Sequence, residues 1–196
     1  MALAGDLPST FNGDWELEWA PYDPPTYQAV LERLRPEDVV LDIGAGDLRL
    51  ARQMALIARK VYALELNATV LERGLRDPQP LAGNLIPILA DALIEVYPAD
   101  VTIGVLLMRH CTHFKLYADK LMKPGCQKLI TNARWRMSVE CVDLQAPRIK
   151  FEQIKLGWYA CWCGAVGFKN GPVELLTPET NAIIHEVIDC PDCPQN

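Results

Sequence analysis

Val39-Val40-Leu41-Asp42-Ile43-Gly44-Ala45-Gly46-Asp47-Leu48 is the stretch whose reading decides the fold. Three consecutive aliphatic residues running into two glycines have the pattern of a buried parallel strand that ends in a tight loop before a helix. The same alternation recurs on both sides. Strands are predicted at 39–41, 60–64, 85–89, 101–107 and 127–131. Helices are predicted at 26–34, 48–58 with Asp47 as its N-cap, 67–74 with Asn67 as its cap, and 112–122 ending at Lys123-Pro124-Gly125, with a further segment at 91–97. Strands alternating with helical segments imply a parallel α/β sheet with right-handed crossovers. In such a sheet the ligand sits beyond the carboxyl ends of the strands, where the strand order reverses, so the glycine loop is where a site is expected.

Composition agrees with a self-sufficient core. Of 196 residues half are apolar, 22% charged and 8% aromatic, which excludes a disordered or fibrous chain. No apolar run approaches the roughly 18 residues of a membrane span, and the opening MALAGDLPST lacks the basic start and apolar stretch of a signal peptide. A cytoplasmic protein is expected. The net charge of −6 argues against general affinity for phosphate backbones, yet it is uneven: −8 over 1–107, +6 over 108–150 and −4 over 151–196. The middle segment is either a basic surface or the solvated faces of a helix and its neighbouring strands.

The loop's own residues select among ligands. A dinucleotide fingerprint requires a third glycine at position 49, which is Arg49. Asp42 and Asp47 flank the loop, and beside a pyrophosphate they would oppose like charges at a cost on the order of a few kcal/mol. They suit a cation. S-adenosylmethionine carries an ammonium and a sulfonium and no phosphate.

The stretch 39–46 resembles the first motif of the class I S-adenosylmethionine-dependent methyltransferases. The resemblance implies that Gly44 and Gly46 let the backbone approach the methionine end of the cofactor and that Asp42 orders the loop and its cationic end. The family often has a third glycine where this chain has Leu48. Glu65, nineteen residues after Gly46, matches the acid that accepts from the ribose hydroxyls, a role either nucleotide cofactor requires. Leu89-Ala90-Asp91-Ala92-Leu93 resembles the adenine-binding segment, which gives Asp91 and Ala92 to the base. The likeness covers about residues 36–132 and implies methyl transfer to an unidentified acceptor.

At the acceptor end, Met108-Arg109-His110-Cys111-Thr112-His113-Phe114 lacks the D/N-P-P-Y/F sequence of many adenine amino-group methyltransferases and the Pro-Cys pair of cytosine-C5 enzymes. His110 and His113 are candidates to take a proton from an oxygen or nitrogen acceptor; the alternative is that one caps the helix and the other faces solvent. Cys111 is a nucleophile or a small buried thiol. Phe11, Trp15, Trp19, Tyr22 and Tyr27 form an aromatic arm, either a lid over the site or packing across a sheet edge.

Four of the seven cysteines fall in Cys161-Trp162-Cys163-Gly164 and Cys190-Pro191-Asp192-Cys193. Two short turns that each donate two thiolates suit tetrahedral Zn2+. Disulfides, a redox pair, unligated thiols and His185 in place of one cysteine are the alternatives. Strands at 150–159, 166–169 and 185–188 and a short helix at 178–184 would form a lobe that the metal staples.

The expected architecture is therefore α/β: a doubly wound, mostly parallel Rossmann-like sheet with a small zinc-stapled β-rich C-terminal lobe. Its parts would be an arm and helix at 1–35, an S-adenosylmethionine-binding domain at 36–145 and the lobe at 146–196. Two other functions stay open: an RNA methyltransferase using the basic 108–150 segment, with Arg134, Arg136 and Arg148 on the RNA, or a non-catalytic subunit holding a protein through its acidic zinc lobe.

Overall fold

The computed structural model of the protein describes residues 20–193; Phe11, Trp15 and Trp19 of the aromatic arm lie outside them. In chain order the elements are α1 (Pro24–Leu31), β1 (Val39–Ile43), α2 (Arg49–Ala55), β2 (Lys60–Glu65), α3 (Ala68–Leu75), β3 (Leu85–Leu89), β4 (Ile103–Leu106), α4 (Phe114–Met122), β5 (Lys128–Thr131), β6 (Glu140–Asp143), β7 (Gly157–Cys161), β8 (Val166–Lys169), α5 (Pro178–Ala182) and β9 (Ile184–Val187).

The main sheet has the order β3-β2-β1-β4-β5-β6. β1 lies at its centre, with Asp42 opposite Ala63 on β2 and Val105 on β4, both parallel. All five residues of β1 are buried, as expected of a strand covered on both faces. Successive side chains point to opposite faces. Val40, Val61, Ile103 and Ile130 pack with α2 through Ala51 and Met54. Leu41, Leu64, Leu106 and Leu129 pack with α4 through Phe114, Tyr117 and Leu121. The order reverses between β1 and β4, so the glycine loop sits at the switch point.

Several boundaries differ from the sequence reading. α1 begins at Pro24 because Asp23 caps it, its carboxylate accepting from the Thr26 N–H at 3.1 Å, and it ends at Leu31 rather than 34. Asp47 does not cap α2. Its carboxylate is gripped by the Arg49 guanidinium at 2.6–3.1 Å, and the cap position falls to Leu48, at φ 65°. The segment at 91–97, to which the sequence assigns no type, is a turn in which the Asp91 carboxylate accepts from the Leu93 N–H at 2.8 Å and folds the chain back locally. The α4 helix starts at Phe114, two residues later than expected. β6 was not foreseen; it runs antiparallel to β5 and closes that edge.

The C-terminal residues form a second sheet, β8-β7-β9, in which β7 pairs antiparallel with β8 and parallel with β9. The strand expected over 150–159 is a turn of 3-10 helix at Phe151–Gln153 followed by β7.

The basic 108–150 segment is divided: Arg136, with Lys115, Lys123, Lys128 and Lys150, is exposed, while Arg134 and Arg148 turn inward. Arg134 is 3% exposed and Arg148 half-buried. The Arg134 guanidinium donates to both Glu140 oxygens at 2.7–2.9 Å and both Glu186 oxygens at 2.8 Å. Arg148 lies 3.6 Å over the Trp162 ring and donates to backbone carbonyls of Leu144 and Ala146. These cations join the two sheets. The Trp162 indole N–H adds a hydrogen bond to Asp119 at 2.8 Å, and its ring meets Phe114 edge-on at 6.2 Å.

Candidate functional site

The glycine loop takes the left-handed conformation three times in five residues, at Gly44 (φ 76°), Gly46 (φ 60°) and Leu48 (φ 65°). That winding turns the chain sharply off β1 and hooks it onto β2: the N–H groups of Gly44 and Ala45 both donate to the Leu64 carbonyl at 2.9 and 2.8 Å. A side chain at Gly44 or Gly46 would be strained by its φ alone. Glu65, at the end of β2, then holds the loop from beneath. One carboxylate oxygen accepts from the Gly46 N–H at 2.7 Å and the other from the Asn67 N–H at 2.8 Å. Each oxygen retains capacity for a second donor.

Above this loop opens a cavity of about 630 Å³, within the usual size range of small-molecule sites. It is lined by Asp42, Gly44 and Asp47 from the β1 end, by Glu65 from the β2 end, and by Asp91 and Ala92 from the segment after β3. Met108, Arg109, His110 and His113 enter from the segment after β4 and Tyr117 from α4. Of the cofactor residues anticipated from sequence, all but Gly46 line the cavity; Gly46 is buried beneath it and held by Glu65. Both histidines line it as well, and the His113 Nδ1 lies 3.0 Å from the Thr112 hydroxyl. The Ala92 carbonyl already accepts from the Tyr97 hydroxyl at 3.0 Å and the Lys120 ammonium at 2.6 Å, so this residue faces a ligand with its other groups.

Asp42 is the electrostatic anomaly of the cavity. It is 3% exposed, and its Oδ2 has no hydrogen-bond partner. Burial, and then the neighbouring Glu65 charge, push its carboxyl up to about 7. Two acids share a desolvated wall, and one carries an unanswered acceptor atom. A cationic or hydrogen-bond-donating group fits there and a phosphate does not.

Tyr22 and Tyr27, from the aromatic arm, line the same cavity. The Tyr22 hydroxyl accepts from the Arg109 N–H at 3.2 Å, its ring lies 4.8 Å beneath the Arg109 guanidinium, and its own N–H donates to the Tyr27 hydroxyl at 3.1 Å. Arg109, Met108 and Tyr117 were not singled out from the sequence. Only their place after the fourth strand could have flagged them.

The four C-terminal cysteines converge. Their Sγ atoms all lie within 4.8 Å of one another, and the hydrogen-bonded or closely spaced pairs are Cys161–Cys193 at 3.5 Å, Cys163–Cys190 at 3.6 Å and Cys190–Cys193 at 3.9 Å. Four thiolates around one zinc at about 2.3 Å stand about 3.8 Å apart along each edge of the tetrahedron. The donor set and its spacing fit that ion. His185 lies on β9 beside Gly157 and outside the cluster. Cys111, Cys126 and Cys141 lie elsewhere and form no disulfide.

No protein-family model matches the chain. A stretch of 65 residues is 45% identical to the probable ribosomal RNA small subunit methyltransferase A of Methanosarcina barkeri, covering 33% of this chain and 22% of that protein. The chain thus spans about a fifth of the length of the curated relative it matches. Among solved structures, precorrin 8w decarboxylase of Methanobacterium thermoautotrophicum aligns at 21% identity with a TM-score of 0.49, over 57% of this chain and 63% of that one. A dimethyladenosine transferase from Plasmodium falciparum aligns at 18% identity with a TM-score of 0.48, over 56% and 41%. Among the described residues no helix is long and apolar enough to cross a membrane. With its strand order, its antiparallel sixth strand and a glycine loop at the switch point, the chain has a doubly wound, mostly parallel Rossmann-like fold.

Proposed function

We propose that this chain is an S-adenosylmethionine-dependent methyltransferase and that its acceptor is RNA. The observation that carries the cofactor is the buried, unanswered Asp42 carboxylate beside Glu65 on the wall of a cavity of about 630 Å³. The 65-residue likeness to a probable ribosomal RNA methyltransferase supports the acceptor class.

In this reading Gly44 and Gly46 keep the loop flush against the methionine end, and Asp42 faces the cationic groups there. Glu65 offers its remaining lone pairs to the ribose hydroxyls, while Asp91 and Ala92 hold the adenine. When bound, S-adenosylmethionine supplies the methyl group. The chain's own work is to hold cofactor and acceptor in line and to exclude water, for which Tyr22, Tyr27 and Met108 form a wall. His110 and His113 are the groups placed to take a proton from an acceptor nitrogen or oxygen. Cys161, Cys163, Cys190 and Cys193 would hold a structural zinc that ties the β7–β8 turn to the chain after β9. The division at 36–145 and 146–196 is part of the same proposal.

Calorimetric titration of S-adenosylmethionine into zinc-replete protein, with NAD as control, tests the reading. Saturable binding that weakens at least tenfold in Glu65→Ala and Asp42→Asn is expected. Binding of NAD in preference, or no binding to folded protein, would overturn it.

A further inference from the structure

A second cavity, of about 390 Å³, lies between α2 and α3 on the outer side of the glycine loop. Arg49, Arg52, Arg73 and Arg76 line it against only Asp47 and Asp77, in a part of the chain, 1–107, that carries a net charge of −8. Helix α3 meets the glycine loop, just before α2, as closely as backbones allow: a Cβ on Gly74 would fall 2.3 Å from the Asp47 carbonyl oxygen. That approach draws arginines of both helices around one cleft.

Four arginines against two carboxylates in its lining put positive charge in excess. Arg49 is answered by Asp47 and Arg76 by Glu72 at 2.8 Å. Arg52, however, donates to neutral groups, the carbonyls of Gly74 at 2.9 Å, Gln79 at 3.0 Å and Pro80 at 3.3 Å, and its Nε is buried without a partner. Its charge is fixed in place and uncompensated. Arg52 therefore lends the cleft positive charge rather than open donors, and the exposed Arg76 side chain carries charge at its rim, so the attraction to an anion is chiefly one of charge. Asp47 and Arg49 line this cleft and the cofactor cavity alike, so an anion held here lies beside the mouth of that cavity.

We propose that the cleft seats a backbone phosphate of the RNA acceptor, an inference that rests on the RNA reading above. The cleft is open to solvent, with the Arg76 and Arg49 side chains 79% and 47% exposed. Contacts so screened hold a lone phosphate weakly but add usefully along a polyanion.

The test is fluorescence anisotropy of a labelled single-stranded RNA oligonucleotide across a KCl series, on zinc-loaded wild type and on Arg73→Gln with Arg76→Gln. Neither residue lines the cofactor cavity, so S-adenosylmethionine binding by calorimetry serves as the control for folding. The expected result is about tenfold weaker RNA binding at low salt and a salt slope shallower by about 0.7 to 1.4, with cofactor affinity unchanged. Lysine at both positions should restore most of the loss. Equal affinity and slope in wild type and variant would overturn the seat, as would no RNA binding by wild type. Competition by millimolar inorganic phosphate with no RNA dependence on the two arginines would reassign it to a small anion and overturn it as well. Wild type that methylates RNA alongside an unaffected variant removes the seat alone. An arginine-dependent RNA affinity without methyl transfer removes the enzyme reading alone.

Discussion

Replacing Arg134 should cost more than any other single charge in the molecule. Its side chain is 1% exposed, and its guanidinium makes four charge-assisted hydrogen bonds of 2.7–2.9 Å, two to Glu140 on β6 and two to Glu186 on β9. Burial alone would make this cation easier to deprotonate, but the two carboxylates outweigh it and raise its pKa still further. In Arg134→Met both carboxylates keep their charge and lose their partner. Breaking a buried pair costs about 3–5 kcal/mol, chiefly through the charge left behind. Here the glutamates are 19% and 23% exposed, so water relieves part of that, and the lower end, about 3 kcal/mol, is expected. With a urea m-value of about 2 kcal/mol/M the midpoint should fall by about 1.5 M. Urea titration followed by tryptophan fluorescence measures it. Because Glu186 belongs to the second sheet, the variant should also show a separate early transition from Trp158 and Trp162. Adding Glu140→Gln and Glu186→Gln should recover most of the loss, since the penalty lies in the unpaired carboxylates. A midpoint shift below about 0.5 M, or no recovery in the triple variant, would refute the reasoning.

Asp42→Asn should stabilise the ligand-free protein at pH 8. A carboxyl raised from 3.8 to about 7 keeps its proton in the folded state over a range where the unfolded chain has lost it. Its contribution is therefore present below about pH 4 and disappears as pH rises through 7. Thermal melts at pH 5 and 8 should show the variant gaining on wild type more at the higher pH, by on the order of a few kcal/mol; equal melts at pH 8 would contradict this. Removing zinc with a chelator, or Cys190→Ser, should raise hydrogen exchange in β7–β9 while leaving β1, β2 and β4 protected, and unaltered exchange in β7–β9 after measured metal loss would count against a staple. Gly164→Ala should destabilise by about 1–3 kcal/mol in a chemical melt, because Gly164 has φ 104° and a Cβ there would stand 3.1 Å from the Phe114 Cβ; a neutral substitution would mean that this turn yields freely.

What the sequence made legible was whatever local pattern determines. The aliphatic runs of β1, β2 and β5 are buried on both faces, so their composition alone announces them. The glycines of the loop do the same, because only a left-handed backbone needs them there. β6 gave no such signal. Glu140-Cys141-Val142-Asp143 buries one side chain and is a strand only because β5 offers it an edge. Asp47 looked like a cap because its residue type favours one, but Arg49, two residues on, competes for the same carboxylate and wins. The basic segment was only partly legible, for a different reason. Charge counted along the chain cannot see that Arg134 meets Glu186 fifty-two residues later, and that contact takes one cation of the segment into an interior joint while Arg136 stays exposed.

The same long-range accounting explains the arrangement of charge around the site. The acids that survive burial, Asp42 and Glu65, face inward where β1 and β2 end, so the cavity favours a cation and disfavours phosphate. The arginines of α2 and α3 stand outside the same loop, separated from the acids by Asp47 and Gly74. On the function proposed above, a sulfonium cofactor and a polyanionic acceptor call for that division, because one shared surface of either sign would repel one of the two ligands. Charge reversal at Arg73 and Arg76 should accordingly lower RNA affinity and leave cofactor affinity in place. Asp42→Lys should do the opposite, abolishing cofactor binding while RNA binding persists. Both affinities falling together in either variant would mean that the two clefts form one site, and the separation of charge would then have no functional role.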